Sequence, residues 1–105
     1  MTRKFTFSFI KASALLDLMA HPARLRVLEL ISEREWDVSS LAIAVNIGKS
    51  SLSQHLNKLR DAKLVETRRD RQTIIYSCRD ESVGKILATL RGLSFTEGEK
   101  PPRRM

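Results

Sequence analysis

The sequence predicts a mostly α fold with a small β-hairpin: five helices, four before a two-stranded ribbon and one after it. Three observations carry that expectation. Apolar residues recur at helical spacing in five separate stretches; two β-rich runs flank a short polar break; and two of the joints between helices hold Pro, or Asn with Gly.

Ala12, Leu15, Leu16 and Met19 make the first helical stripe, and Ala14 and Leu18 widen it beyond one face. A helix apolar over so much of its circumference wants cover from two sides. His21-Pro22 interrupts it, and proline suits the first turn of a second helix, where its missing N–H is not needed. That helix turns Leu25, Leu28 and Ile31 inward and ends in Ser32-Glu33-Arg34-Glu35. Val38, Leu41, Ala42 and Val45 mark a short third helix. Asn46-Ile47-Gly48-Lys49 reads as a tight turn. The fourth helix runs from about Ser50 to Ala62 on Leu52, Leu56 and Leu59. The runs Leu64–Arg69 and Gln72–Ser77 then pair through a turn at Asp70-Arg71, and a last helix carries Val83, Ile86, Leu87 and Leu90. Short helix, turn, polar-faced helix and basic hairpin, in that order, describe a winged helix-turn-helix, with the hairpin as wing.

At 105 residues the chain has room for one domain. Residues 1–95 make the folded unit, and residues 96–105, with almost nothing to bury, a disordered tail. A domain this small buries only a modest share of its surface, so a partner subunit is the natural cover for the first helix. The formal charge of +7 favours polyanionic partners, nucleic acid first and an anionic membrane surface second. The single cysteine, Cys78, precludes an internal disulfide and suits a reducing compartment. No apolar run approaches the ~20 residues needed to span a bilayer, and the N-terminus lacks a sustained hydrophobic region before charge returns, so a cytoplasmic location is expected.

The fourth helix has a distinctive outer face. With Leu52 at zero on a helical wheel, Leu56 and Leu59 fall within about 40°, whereas Ser50, Ser53, Gln54 and Asn57 lie about 100° to 200° away. That face carries no carboxylate before Asp61. A solvated face mixes Glu with Lys; a helix in a major groove needs short, uncharged groups that reach base edges, such as Gln or Asn on adenine. Lys49 at its entry and Lys58 on its flank are long enough to reach phosphates. From Lys49 to Arg79 there are eight basic residues against three acidic ones, so much of the chain's surplus sits in this segment. Arg68, Arg69 and Arg71 belong to the wing, where arginines meet phosphate or the minor groove.

The stretches 19–28, 51–60, 64–69 and 72–77 resemble the ArsR/SmtB family of bacterial winged-helix repressors, with the core Ser51-Leu52-Ser53-Gln54-His55-Leu56 closest to its metal-independent branch. The similarity covers about residues 12 to 93. It implies base or groove contacts from Ser50, Ser51, Ser53, Gln54 and Asn57, and backbone contacts from Lys49, His55 and Lys58. It also implies wing contacts from Arg68, Arg69, Arg71 and Gln72, and a homodimer built on the first and last helices, through Leu15, Leu18, Met19, Ile86, Leu87 and Leu90. Where the family often has Ser or Thr capping the recognition helix this chain has Gly48, which caps at a cost of only a few tenths of a kcal/mol.

Neither cofactor nor metal is expected. Metal-sensing members carry two thiolates on the third helix, and Glu35-Trp36-Asp37-Val38-Ser39-Ser40-Leu41 has none; Ser39 is a poor ligand for a soft ion. Asp80 stands where other members place zinc ligands, but no histidine follows His55, and His21 and His55 lie on different elements. Strand alternation puts Cys78 with Ile74 and Tyr76, as a small buried hydrophobe rather than a redox sensor. Trp36 reads as a packing residue. Phe5, Phe7 and Phe9 are either an arm on a partner subunit or the frayed start of the first helix. Arg103-Arg104 is an idle pair or an aid to non-specific DNA affinity.

The sequence therefore points to a transcriptional regulator, a repressor above all, that binds an imperfect palindrome in double-stranded DNA as a homodimer; its effector is unknown. A non-specific architectural DNA-binding protein and a winged-helix protein-interaction module share the same outline. An enzyme is not indicated, because no pair of groups has the spacing of nucleophile and base.

Overall fold

The computed structural model describes residues 6–95; Phe5 and the anticipated tail over residues 96–105 lie outside them. The elements run α1 (Phe9–Met19), α2 (Pro22–Glu33), β1 (Trp36–Asp37), α3 (Val38–Val45), α4 (Lys49–Asp61), β2 (Glu66–Asp70), β3 (Thr73–Ser77) and α5 (Glu81–Arg91). The helix order is the expected one. Among the described residues no helix is long and apolar enough to cross a membrane.

Local chemistry sets the boundaries. Ser8 Oγ accepts the Lys11 amide at 3.1 Å and starts α1. His21 Nδ1 accepts the Ala23 amide at 3.2 Å at the start of α2, with Pro22 in its first turn. Asp37 accepts the Ser40 amide at 3.0 Å and the Ser40 hydroxyl at 2.7 Å, which starts α3 and holds the Asp37 carboxyl below its ordinary pKa. Asn46 ends α3 in the left-handed region, with φ of +62°. Asp80 accepts the Val83 amide at 2.9 Å and caps α5.

The hairpin is part of a three-stranded antiparallel sheet in the order β1-β3-β2. Trp36 pairs with Tyr76 and Asp37 with Ile75, so β1 ties the joint before α3 to the wing. A two-residue strand is too short to show a period-two signal, which is why the sequence reveals only the hairpin. Across β2 and β3, Asp70 pairs with Thr73, so the turn residues are Arg71 and Gln72, one step later than expected. Arg71 sits at φ of +61°, a conformation that costs a non-glycine residue about 1 kcal/mol.

One core joins all the helices to the sheet. Val27, Leu28, Leu30 and Ile31 of α2 meet Leu41 and Ala42 of α3, the α4 leucines, Val65, Tyr76 and Cys78, and Val83 and Leu87 of α5. Cys78 is buried, with its amide donating to the Ile31 carbonyl at 3.0 Å and its thiol to the Leu64 carbonyl at 3.2 Å. Trp36 packs against this core; its indole N–H donates to the Leu30 carbonyl at 3.0 Å, and the Arg34 guanidinium lies 3.6 Å above its ring.

Candidate nucleic-acid interface

Three leucines hold α4 in place. Leu52, Leu56 and Leu59 are each 0% exposed, packed against α2 and α3. Burying three leucines at about 1.5–3 kcal/mol each fixes the rotation of the helix about its axis. The opposite side carries Ser50, Ser51, Ser53, Gln54, Asn57 and Lys58, all exposed. Gly48 makes no side-chain cap and the first turn holds no acid, so the leading N–H groups and the positive dipole end face outward beside Lys49. Among the described residues, Asn57 is the one member of this face with a side-chain partner, a 3.4 Å bond from Arg60. Exposed Ile43 of α3 borders the groove at the start of α4, lined also by Ser39, Asn46, Gly48 and Lys49; sequence periodicity does not flag it.

The wing arginines divide between two faces. Directly paired residues of an antiparallel ladder share a face and neighbours alternate. Arg69 pairs with Ile74 and so lies on the face of buried Tyr76, whereas Arg68 pairs with Ile75 on the opposite face. There Arg68 is engaged: its Nε donates to Glu35 Oε2 at 2.7 Å and its Nη2 to Oε1 at 2.9 Å, a bidentate pair. Hydrogen bonding from Arg68 holds the Glu35 carboxyl below its ordinary pKa, and the carboxylate in turn raises that of Arg68. Arg69 and Arg71 are exposed and form no ion pair among the described residues, and Gln72 is exposed beside them at the turn. The expected arginine trio is thus two free cations and one strap.

His55 also differs from its neighbours on α4. It is half-buried on the inner flank, where its Nδ1 accepts Arg24 Nε–H at 3.1 Å. His21 and His55, on different elements, meet in space with ring centroids 4.5 Å apart. Among the described residues no third His, Cys, Asp or Glu joins them in a group that could hold a metal.

A second surface is apolar. Ile10 is 82% exposed and Leu16 54%, and Phe7, Phe9, Leu93 and Phe95 are exposed as well. Phe7 and Phe9 meet edge to face at 5.0 Å, with Phe9 opening α1. Of the six residues expected at a dimer seam, Leu15, Leu18, Ile86 and Leu90 are half-buried. Met19, at 2% exposure, and Leu87, at 6%, are already covered by their own subunit and offer little to a partner.

Residues 21–67 match the family described as bacterial regulatory proteins of the arsR family. The nodulation protein NolR of Rhizobium meliloti is 48% identical over 79 residues, 75% of this chain and 65% of that protein, just under two thirds of its length. YgaV, an HTH-type transcriptional regulator of Escherichia coli, is 38% identical over 84 residues, 79% of this chain and 85% of that protein. The crystal structure of the transcriptional repressor BigR from Xylella fastidiosa aligns with a TM-score of 0.78 at 30% identity, covering 84% of this chain and 90% of that one.

Proposed function

Because the chain belongs to the ArsR family of bacterial regulatory proteins, which are DNA-binding transcriptional regulators, we propose that it represses transcription by binding an imperfect palindrome as a homodimer. The observation that carries this reading is the two-sided character of α4: three leucines with no exposure on one side, hydroxyls and amides without a carboxylate on the other. Gln54, Asn57, Ser50, Ser51 and Ser53 read base edges in the major groove; Lys49, Lys58, Arg69, Arg71 and Gln72 hold the phosphates. Arg68 and His55 act from behind, as supports for the wing and for α4.

The homodimer rests on the apolar surface of α1. Ile10, Leu16 and Phe9 are too exposed for a helix that ends in the core at Met19. A two-fold pair presents two α4 helices about 34 Å apart, so half-sites fall one helical turn apart. Repression is the direction suggested by the name of the BigR relative.

The test is selection of preferred duplexes from a random pool, followed by sizing of the free and bound protein. Recovery of a palindromic site bound by two subunits supports the reading. Recovery of no preferred sequence despite tight, salt-sensitive binding makes the chain an architectural DNA-binding protein, and absence of DNA binding makes it a protein-interaction module.

A further inference from the structure

We propose that Arg24 is a positioning residue for α4, locking the DNA-reading helix to α1 and α2 through His55, and that the lock closes only when His55 is uncharged. This rests on the assignment of α4 as the reading helix.

Arg24 stands in the first turn of α2 and is half-buried. Its Nη1 donates to the Leu18 carbonyl of α1 at 3.3 Å and its Nε to His55 Nδ1 of α4 at 3.1 Å. One guanidinium therefore joins three helices: the one bearing the apolar surface, the one it belongs to, and the one bearing the base-reading face. Among the described residues it pairs with no carboxylate. Its acceptors are a peptide carbonyl and an imidazole nitrogen.

That choice of acceptor makes the lock conditional. An imidazole accepts at Nδ1 only in the neutral tautomer carrying its proton on Nε2; the imidazolium has two donors and no acceptor. Protonation of His55 removes the acceptor and sets one cation against another. Among the described residues, the charged and titratable groups acting on His55 are His21 capping α2, Arg24 of α2 and Lys58 of α4, with no carboxylate among them, while α1 contributes the Leu18 carbonyl on the far side of Arg24. His21 is separately occupied, with Nδ1 capping α2. Burial first, then these positive neighbours, hold the His55 pKa below the ordinary imidazole value. A base whose pKa is lowered by folding binds fewer protons folded than unfolded. The lock therefore contributes fully above the ordinary value of about 6.5 and is lost as pH falls through the lowered one.

The experiment compares affinity for the duplex recovered from the random pool with affinity for a scrambled duplex of equal length, between pH about 7.5 and a pH about one unit below the His55 midpoint read by NMR on the free protein. The ratio of the two cancels the general gain in phosphate affinity on acidification. In the wild-type protein the ratio falls by about five-fold or more across this range. His55→Asn places an amide oxygen near the position of Nδ1 and cannot titrate, so it keeps the ratio at neutral pH and flattens the profile. His21→Asn keeps a good helix cap and retains the wild-type fall. Arg24→Gln lowers the ratio already at neutral pH. A free-protein readout accompanies these: histidine NMR shows His55 as the Nε2–H tautomer titrating below the ordinary value, and Arg24→Gln moves that titration upward.

An undiminished fall in His55→Asn, a flat profile in His21→Asn, or full discrimination by folded Arg24→Gln at neutral pH overturns the proposal. If Arg24→Gln does not fold, the His55 and His21 variants decide alone. A wild-type protein that discriminates equally at both pH values refutes the lock and leaves α4 as the reader. One that never discriminates refutes the reading of α4 itself, on which the lock depends.

Discussion

Adjacent residues of one strand, Arg68 and Arg69, are expected to respond differently to the same substitution. Among the described residues Arg69 and Arg71 of the wing form no ion pair, whereas Arg68 is held by both oxygens of Glu35. Each phosphate neutralised on B-DNA contributes about 0.9 to the slope of log affinity against log salt. A dimer has two wings, so Arg69→Ala removes about 1.8 from that slope, and the variant's affinity falls roughly ten-fold less than the wild type's between 50 and 200 mM salt. Arg68→Ala leaves the slope within about 0.3 of wild type, because its charge is already balanced by a carboxylate of the same subunit. Fluorescence anisotropy on a labelled duplex over a salt series measures both. Equal slopes for the two variants, or a larger change for Arg68→Ala, would refute the division of the wing into two faces.

Other consequences follow from the same geometry. Leu56→Ala removes a fully buried side chain and should destabilise the fold by about 2–5 kcal/mol, lowering Tm by roughly 10 °C or more; a shift of only a degree or two contradicts the anchoring of α4. Leu16→Glu puts a charge on exposed apolar surface of α1, so the subunit should stay folded but sediment as a monomer and bind the palindrome weakly; an intact dimer places the seam elsewhere. The Glu35 carboxyl is lowered chiefly by its bond from Arg68, so this strap contributes above the ordinary carboxylate range and is lost as pH falls through the lowered value. By NMR titration, Arg68→Ala should move the Glu35 pKa up towards its ordinary value; an unmoved titration means the bond does not persist in solution.

Periodic features were legible in the sequence because they are local. The α4 leucines and their polar counterpart follow from one residue spacing, and the structure sets them on opposite sides as the wheel requires. The pairing of Arg24 with His55, 31 residues apart, and of Glu35 with Arg68, 33 apart, leaves no local trace. Such pairs depend on how α2 crosses α4 and how β1 aligns with β3, and spacing carries no information about either. Met19 and Leu87 show another limit. Helical spacing marks a residue as buried without saying which subunit buries it, and here their own subunit does. Ala14 and Leu18, beside the stripe of Leu15, Leu16 and Met19, carried the complementary signal, an apolar excess on α1 that one face cannot absorb, and Leu16 is left exposed.

The reading face of α4 is tested most directly by measuring Gln54→Ala on the duplex recovered from the random pool and on its scrambled counterpart, under identical salt. Loss of one bidentate base contact predicts a weakening on the order of 1–3 kcal/mol, or about 5- to 150-fold, on the recovered duplex. The scrambled duplex should change by less than about two-fold, since Gln54 carries no charge for phosphates to lose. Equal weakening on both duplexes, or none on either, would contradict the account.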